Sequence, residues 1–352
     1  MLHFYGMRKG FFILIWILFC LMSGCGEKKT RLVNTAFYHW QTDFELSDFE
    51  KEFLQGTKSK KLYVKFFDVD WNGNAAIPKA SLNVRSSSRA GQEIVPTIFI
   101  TNRTFKNLDE EGIEDLADKT WRKIKMIFEK FAGGELREIQ FDCDWSESTR
   151  VAYFSFLESM NTRILKTNVK LSATIRLHQI KFFERTGVPP VARGMLMFYN
   201  TGELRNFATE NSILDIEIAK KYLVNFDKYP LSIDLVLPLF RWGVLFREGK
   251  MIRLLNGLSQ TDLRDTTFFQ QTSKQRFTVN ENTYLAGHYV YKKDKIRLEQ
   301  ITQSKLDSVV QLLQPFLLED DLNLTFYHID STVVQQFSIK NLLHLNNQLK
   351  KR

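Results

Sequence analysis

The sequence of 352 residues contains only three cysteines, and two of them lie within its first 25 residues. A framework of internal disulfides and a cysteine-based metal cluster are therefore excluded. The chain also lacks a His-Glu-x-x-His segment, a glycine-rich phosphate loop and a Gly-x-Ser-x-Gly elbow. Because these patterns carry common zinc, nucleotide and α/β-hydrolase chemistry, no metal and no cofactor is predicted.

The composition is that of a folded protein, with 44% hydrophobic and 25% charged residues, which excludes disordered and collagen-like chains. Lysine and arginine number 49 against 40 acidic residues, so the formal charge is +9. This excess is spread along the chain without an arginine-rich segment. Nucleic acid is therefore not an expected partner.

The first two dozen residues have the pattern of an export signal. Arg8-Lys9 precedes a continuous apolar run over 11–22, which is shorter than the ~18–20 residues that cross a bilayer. The next residues, Met22-Ser23-Gly24-Cys25, resemble the bacterial lipobox. That resemblance implies cleavage before Cys25 and a diacylglycerol on its sulfur. An uncleaved N-terminal membrane anchor is the alternative, and both place the remaining chain outside the cytoplasm.

We therefore expect three segments: a signal peptide over 1–24, a tether over 25–32 and a single domain over 33–352. The expected location is the bacterial periplasm or cell surface, where the lipid on Cys25 would hold the protein to a membrane. Cys143 would then be the only other cysteine of the mature chain.

Short β-rich runs alternate with longer amphipathic stretches along the domain. The eight runs cover residues 35–40, 61–70, 93–100, 137–144, 170–177, 194–199, 232–240 and 323–328. Helices are predicted over 46–54, 109–131, 147–162, 179–187 and 333–348. This alternation predicts an α/β fold, a (β/α)8 TIM-like barrel, while a doubly wound open sheet is the alternative.

The surplus length lies between the seventh and eighth runs, at about 244–319. Within this insertion, residues 283–291 and 295–300 are predicted to pair as a β-hairpin around Lys292-Lys293-Asp294.

Polar and aromatic residues follow every run, at the end that forms the catalytic face of a barrel. Four tryptophans lie among them, and tryptophan in loops is suited to stacking on the flat faces of sugar rings. The predicted substrate-binding residues are Tyr38, His39, Trp40, Asp68, Asp70, Trp71, Asn102, Arg103, Trp145, Arg176, His178, Asn200, Arg241, Trp242, Tyr327 and His328.

Three segments resemble the chitinase-type glycoside hydrolases of family 18. Phe141-Asp142-Cys143-Asp144-Trp145 resembles the acidic fourth strand of that family. Met197-Phe198-Tyr199-Asn200 resembles its sixth strand, and residues 237–243 resemble its seventh. The sequence is also similar to exported bacterial barrels that share an Asp-x-Asp-Trp fourth strand. The resemblance implies a TIM barrel whose catalytic residues are Asp142, Asp144, Glu147 and Tyr199.

One position departs from the family pattern. The acid/base glutamate of the family stands two residues after the last aspartate, where this chain has Ser146, and Glu147 follows one residue later. Because side chains alternate along a strand, this shift redirects the carboxyl group unless a bulge restores it. The alternative interpretation makes Ser146 the N-cap of the next helix, with Glu147 in its first turn.

Asp142 and Asp144 stand one strand period apart, so both are expected to face the mouth. Repulsion between two nearby carboxylates raises the pKa of one of them, which would suit Asp144 as a proton donor. An acid and a base on different strands would make a two-carboxylate glycosidase. Alternatively, Asp142 and Asp68 form buried ion pairs with Arg176, Arg103 or Arg241.

Three functions follow from these patterns. The first is a lipid-anchored glycoside hydrolase acting on a glycan. The second is a non-catalytic glycan-binding lipoprotein on the same barrel. The third is a scaffold lipoprotein that uses the insertion for a protein partner of unknown identity.

Overall fold

The computed structural model describes residues 30–131 and 134–351, so the predicted signal peptide and Cys25 lie outside the described residues. Eight parallel strands form its centre: β1 Leu32–His39, β2 Lys61–Trp71, β3 Glu93–Ile100, β4 Glu138–Asp142, β5 Lys170–Arg176, β6 Arg193–Met197, β7 Ile233–Pro238 and β8 Asp321–Tyr327. Each strand pairs with its neighbours in chain order, and β1 also pairs with β8, which closes the sheet. The predicted TIM-like barrel is confirmed, and the open-sheet alternative is wrong.

Side chains on the barrel strands alternate between two cores, as the pleat requires. Tyr38, Tyr63 and Met195 belong to a compact cluster inside the barrel. Their outward neighbours, such as Phe37 and Leu62, belong to a much larger cluster between the strands and the surrounding helices. The many phenylalanines of the sequence therefore serve mainly the outer core.

The helices surround this sheet and begin at ordinary capping signals. Ser47 and Glu50 form a capping box at α1, and Asp109 accepts a hydrogen bond from the Gly112 amide at α3. The α-helices are α1 Asp48–Gly56, α2 Asn102–Phe105, α3 Glu110–Phe128, α4 Arg150–Ile164, α5 Leu177–Lys181, α6 Phe183–Thr186, α7 Ile216–Lys220, α8 Gln303–Leu313, α9 Ser331–Val334 and α10 Ile339–Lys350. Single 3-10 turns occur at Phe226–Lys228 and Gln260–Leu263. None of the helices in the described ranges has the length and hydropathy that a bilayer crossing requires.

Two crossovers depart from the regular barrel. Between β2 and β3, residues 72–92 hold the short strands Ala76–Lys79 and Asn83–Val84, and the first of these pairs with the end of β2. A further short strand, Asp43–Phe44, pairs with Asn83–Val84.

The second departure follows β7, where an antiparallel sheet of five strands precedes α8. Its strands are Arg241–Arg247, Lys250–Asn256, Phe269–Ser273, Arg276–Val279 and Lys295–Gln300. This sheet has a hydrophobic core of its own, which includes Leu255, Phe277 and Ile296.

The predicted hairpin is formed differently. Residues 283–290 fold back on themselves, with Thr283–Leu285 paired to His288–Val290 around Ala286-Gly287. Lys295–Gln300 pairs instead with Arg241–Arg247 and Arg276–Val279. Ala286 and Gly287 form the turn of this hairpin and both have positive φ, at 47° and 76°. Residues 292–293 form a separate turn that leads into Lys295–Gln300.

Candidate functional site

Two neighbouring strands bring three charged groups together at the barrel mouth. At the end of β5, Arg176 donates through Nη2 to the Asp142 carboxylate at 3.2 Å and through Nε to the Asp144 carboxylate. Thr174 Oγ1 donates to the same Asp142 oxygen at 2.6 Å. The Asp142 side chain is 6% exposed and that of Asp144 is 56% exposed. The inner carboxylate is thus fixed by two donors, and the outer one meets solvent.

These groups line a cavity of about 650 Å³ at the C-terminal ends of the strands. Its aromatic side chains contact one another: the Tyr327 ring lies 5.6 Å from Trp40, 5.7 Å from Tyr199 and 5.8 Å from Phe240. The predicted site residues that line it are Trp40, Asp142, Asp144, Arg176, Tyr199, Asn200, Arg241, Trp242, Tyr327 and His328.

Seven lining residues were not among the predicted site residues: Phe99, Phe240, Asn256, Gly257, Asp330, Thr332 and Val333. Three of them lie at or just beyond the C-terminal ends of predicted strands: Phe99, Phe240 and Asp330. Their positions could therefore have been predicted from the sequence. Asn256 has no local signal. It reaches the cavity because its strand pairs with Arg241–Arg247, which places it opposite Trp242.

Trp145 lies away from the cavity, contrary to the prediction. Its side chain is fully buried in the outer core, where the indole N–H donates to the Thr186 carbonyl at 2.8 Å and the ring packs on Tyr153. Strand alternation explains this placement, because Asp144 faces the mouth and the next side chain must face the helices.

Glu147 and Ser146 also differ from their predicted roles. Glu147 is exposed in the turn before α4 and does not line the cavity. The N-cap of α4 is Thr149, since the helix begins at Arg150, so the prediction of Ser146 as N-cap is wrong. The Ser146 amide donates to Thr149 Oγ1 at 2.9 Å. No bulge returns Glu147 to the mouth, and the family's acid position holds a hydroxyl group.

The acidic residues of β2 are occupied by cations. A register shift between Lys65 and Phe67 precedes Asp68, which receives a hydrogen bond from Lys65 Nζ at 3.3 Å. Asp70 receives bonds from Arg103 and from Lys79 Nζ at 2.7 Å. Hydrogen bonds from Arg103 hold the pKa of Asp70 far below its ordinary value. The alternative role of the inner carboxylates as ion-pair partners is therefore confirmed for Asp142, which pairs with Arg176 as predicted. Asp68 pairs with Lys65 instead of a predicted arginine, and Arg103 pairs with Asp70.

The remaining predicted residues lie around the cavity rather than on it. Tyr38 is buried inside the barrel, where its hydroxyl donates to Gln140. His39 faces the outer core and contacts the Phe44 ring. Asn102 bonds Thr149 Oγ1 beside β4. Trp71 and His178 also do not line the cavity, and Trp71 instead lines a separate groove of about 410 Å³ beside α3.

Burial sets the protonation behaviour of two residues on the cavity wall. Desolvation raises the pKa of the Asp142 carboxyl, and the nearby Arg176 guanidinium opposes that rise. Burial likewise raises the pKa of the Tyr199 phenol well above its ordinary value, so Tyr199 stays protonated at neutral pH. Tyr199 donates to Met197 Sδ at 2.9 Å.

A buried ion pair holds the insertion against the cavity wall. Arg297 and Glu299 are both fully buried and bond each other. Glu299 accepts hydrogen bonds from the Trp242 indole N–H at 2.8 Å and from the Ser212 amide at 2.9 Å. The position of Trp242 in the cavity therefore depends on a carboxylate 57 residues later in the chain.

Across residues 30–131 and 134–351, no three His, Cys, Asp or Glu side chains are grouped so that they could hold a metal ion.

Comparison with known proteins finds similarity in structure alone. No family model matches the sequence, and no curated protein matches it. The Bacillus cereus spore cortex-lytic enzyme SleL superposes with a TM-score of 0.56 at 15% identity, over 91% of this chain and 75% of SleL. A chitinase from Chromobacterium violaceum gives a TM-score of 0.53 at 10% identity, over 92% of this chain and all of its own.

A family 18 chitinase from Cycas revoluta in complex with (GlcNAc)4 gives a TM-score of 0.51 at 12% identity, over 90% of this chain and 98% of that one. At such identities the likeness concerns the fold. Together with the closed barrel and the fourth-strand Asp142-Cys143-Asp144-Trp145 segment, it identifies this chain as a TIM barrel with the fold of the chitinase-type glycoside hydrolases.

Proposed function

We propose that this protein binds a glycan in the barrel mouth and does not hydrolyse it by chitinase-type chemistry. The observation that carries this proposal is the state of the fourth strand: Asp142 and Asp144 are both bound by Arg176, and Ser146 stands where the family has its acid. Protonation of a glycosidic oxygen needs a positioned acid on the cavity wall, and Glu147 is not there.

The cavity has the features that a sugar ligand requires. Its aromatic walls offer flat apolar faces, and Asp144, Asn200 and Arg241 add hydrogen-bonding groups around them. N-acetylglucosamine-containing glycans are the proposed ligand class, by analogy with the chitinases that share the fold.

Export and lipid attachment are part of the proposal and are supported by the sequence alone. The basic, apolar and small-residue regions before Cys25 carry this argument. Mass spectrometry of the mature N-terminus tests it, since a diacylglycerol-modified Cys25 must be absent in the Cys25→Ala variant.

A paired binding and turnover assay tests the function. Purified protein is titrated with chitin oligosaccharides and with peptidoglycan glycan strands, and the same mixtures are followed for released reducing ends. We expect saturable binding without turnover, and binding that Asp144→Asn weakens. Turnover that Asp144→Asn abolishes would overturn the non-catalytic proposal in favour of the predicted glycosidase. Absence of binding to every glycan would overturn both.

A further inference from the structure

We infer that the base of the barrel, beside the start of β1, rests on an anionic lipid surface and holds the mouth away from it. The inference rests on the proposed lipid attachment at Cys25. It adds an interaction surface and an orientation, which that attachment alone does not provide.

The position of the tether establishes which end of the barrel faces the membrane. The described chain begins at Thr30, immediately before β1, and the N-terminal ends of all eight strands form the base. Only residues 26–29 separate Thr30 from Cys25. Five successive steps of extended chain span at most ~18 Å, which is less than the width of the barrel with its helices. A lipid on Cys25 therefore keeps the base close to the headgroups.

The mouth then lies on the far side. β1 runs from Leu32 at the base to His39 near the mouth. Eight tilted residues advance roughly 20 Å along the barrel axis. The cavity therefore opens away from the bilayer, where an extended glycan can reach it.

Exposed cations surround the attachment point. The backbone of Thr30 forms a bridge with Lys351, and the Arg31 amide donates to the Lys350 carbonyl at 3.0 Å, so the first and last described residues lie together. Lys350 and Lys351 are exposed. Lys58 and Lys60 are also exposed, and the Lys60 amide donates to the Thr35 carbonyl on β1 at 2.8 Å. Four lysines therefore border the same sector of the base.

The sequence adds cations next to both described ends. Lys28-Lys29 precede Thr30 directly, with Glu27 before them, and Arg352 follows Lys351. Basic residues close to an anionic bilayer are attracted to its headgroups, which is why lipidated proteins commonly combine a lipid with a basic patch.

Apolar and acidic side chains complete the description of this sector. Leu32 is 61% exposed and Leu318 is 68% exposed, so two large apolar groups stand beside the lysines. Acidic residues of the sector include Glu319, Asp320 and Asp321, and Asp321 is paired with Arg193 at 3.2 Å. Glu93, whose amide donates to the Lys60 carbonyl, lies 3.9 Å from Lys61 Nζ. A surface of lysines with exposed leucines is complementary to anionic headgroups and the acyl region beneath them.

Fluorescence quenching in vesicles tests the orientation with the full lipidated chain. An environment-sensitive probe is attached at Leu318→Cys on the base, or at Glu147→Cys, which is exposed at the mouth end. The protein is reconstituted in vesicles containing headgroup spin-labelled lipid, made either with phosphatidylglycerol or with phosphatidylcholine alone. We expect strong quenching at Leu318→Cys in the anionic vesicles, weak quenching there in neutral vesicles, and none at Glu147→Cys.

The charge contribution is tested by Lys350→Glu/Lys351→Glu. This variant should lose the difference between anionic and neutral vesicles, and added salt should do the same to the unaltered chain. The matched control is Lys292→Glu/Lys293→Glu, which changes the same number of charges on the insertion and should leave the quenching unchanged.

The outcomes separate the two proposals. If the chain carries no lipid and washes off the vesicles, the attachment proposal has failed. If it stays attached but the base probe is unquenched, or the mouth probe is quenched as strongly, the orientation is wrong. Equal quenching at the base in both kinds of vesicle would show that anionic lipid is not the partner.

Discussion

Arg176 binds Asp142 and Asp144 at the same time, through Nη2 and Nε of one guanidinium group. Asp142 is the last residue of β4, Asp144 follows two residues later, and Arg176 is the last residue of β5. One cation therefore neutralises both carboxylates of the Asp142-Cys143-Asp144 segment.

Loss of this guanidinium should destabilise the fold through Asp142. Arg176→Gln leaves a buried carboxylate with Thr174 as its remaining described donor, and we expect a loss of about 3 kcal/mol in the free energy of unfolding at neutral pH. Asp142→Asn in the same chain removes the buried charge and should recover much of the loss. Urea unfolding of the two single variants and the double variant measures this. If the two substitutions changed the free energy of unfolding additively, the proposed pairing of Arg176 with Asp142 would be contradicted.

A buried histidine should make stability depend on pH. Burial lowers the pKa of His39 from 6.5 to about 4. Between these values the unfolded chain binds the proton and the folded chain does not, so stability is complete above pH 6.5 and falls as the pH drops towards 4. The full contribution is about 3 kcal/mol.

The midpoint of urea unfolding, measured from pH 8 to pH 4, reports this dependence of stability on pH. We expect the dependence to be weaker in His39→Phe. The matched control is His344→Phe, because His344 is exposed on α10. If the stability of His39→Phe depended on pH as strongly as that of the unaltered protein, groups other than His39 would be responsible for the loss of stability below pH 6.5.

Two tryptophans should differ in their effect on glycan binding. Trp40 lines the cavity beside Tyr327, whereas Trp71 lines the separate groove beside α3. We expect Trp40→Ala to weaken glycan binding about tenfold, or ~1.4 kcal/mol, and Trp71→Ala to leave it unchanged. Calorimetric titration with the ligand found for the unaltered protein provides the comparison. If Trp40→Ala and Trp71→Ala lost the same amount of glycan affinity, the ligand would not be bound specifically in the cavity.

Trp145 should matter for stability and not for binding. Its side chain is fully buried and its indole N–H is bonded to Thr186, so Trp145→Ala should cost about 3–5 kcal/mol of unfolding free energy. Measured at a temperature where the variant is folded, glycan affinity should match that of the unaltered protein. A selective loss of affinity with normal stability would restore the predicted binding role.

The buried Arg297–Glu299 pair should show strong coupling. Glu299→Gln leaves a fully buried guanidinium without its counter-charge and should cost about 3–5 kcal/mol, even though the amide oxygen can still accept from Trp242. Arg297→Met/Glu299→Gln should be more stable than Glu299→Gln alone. A double-mutant cycle by urea unfolding measures the coupling, and a coupling near zero would mean that the pair does not hold the insertion in place.

The barrel could be predicted from the sequence because its signals are local. Each of the eight strands is a short β-rich run, most of the runs are followed by a predicted helix, and eight such runs leave few topologies. The inward position of Asp142 and Asp144 could be predicted as well, because it follows from strand alternation.

Trp145 was misplaced because it was assigned to the site from its position after the fourth strand. The alternation that directs Asp144 to the mouth directs the next side chain to the helices, and the structure shows Trp145 there. The strand pairing within the insertion could not be predicted either, because Lys295–Gln300 pairs with Arg241–Arg247, about 50 residues earlier in the chain, and not with the neighbouring residues 283–290.

The amino-acid sequence was sufficient to predict the order of the barrel strands, the acidic fourth strand and the hydroxyl of Ser146 at the position of the family's acid. Which side chains share the cavity could not be predicted, because that depends on contacts between strands and loops that are distant in sequence. Arg176 reaches Asp142 across 34 residues, and Trp242 depends on Glu299 across 57. The chemistry of the mouth is therefore set by long-range pairing, while its scaffold is set by local pattern.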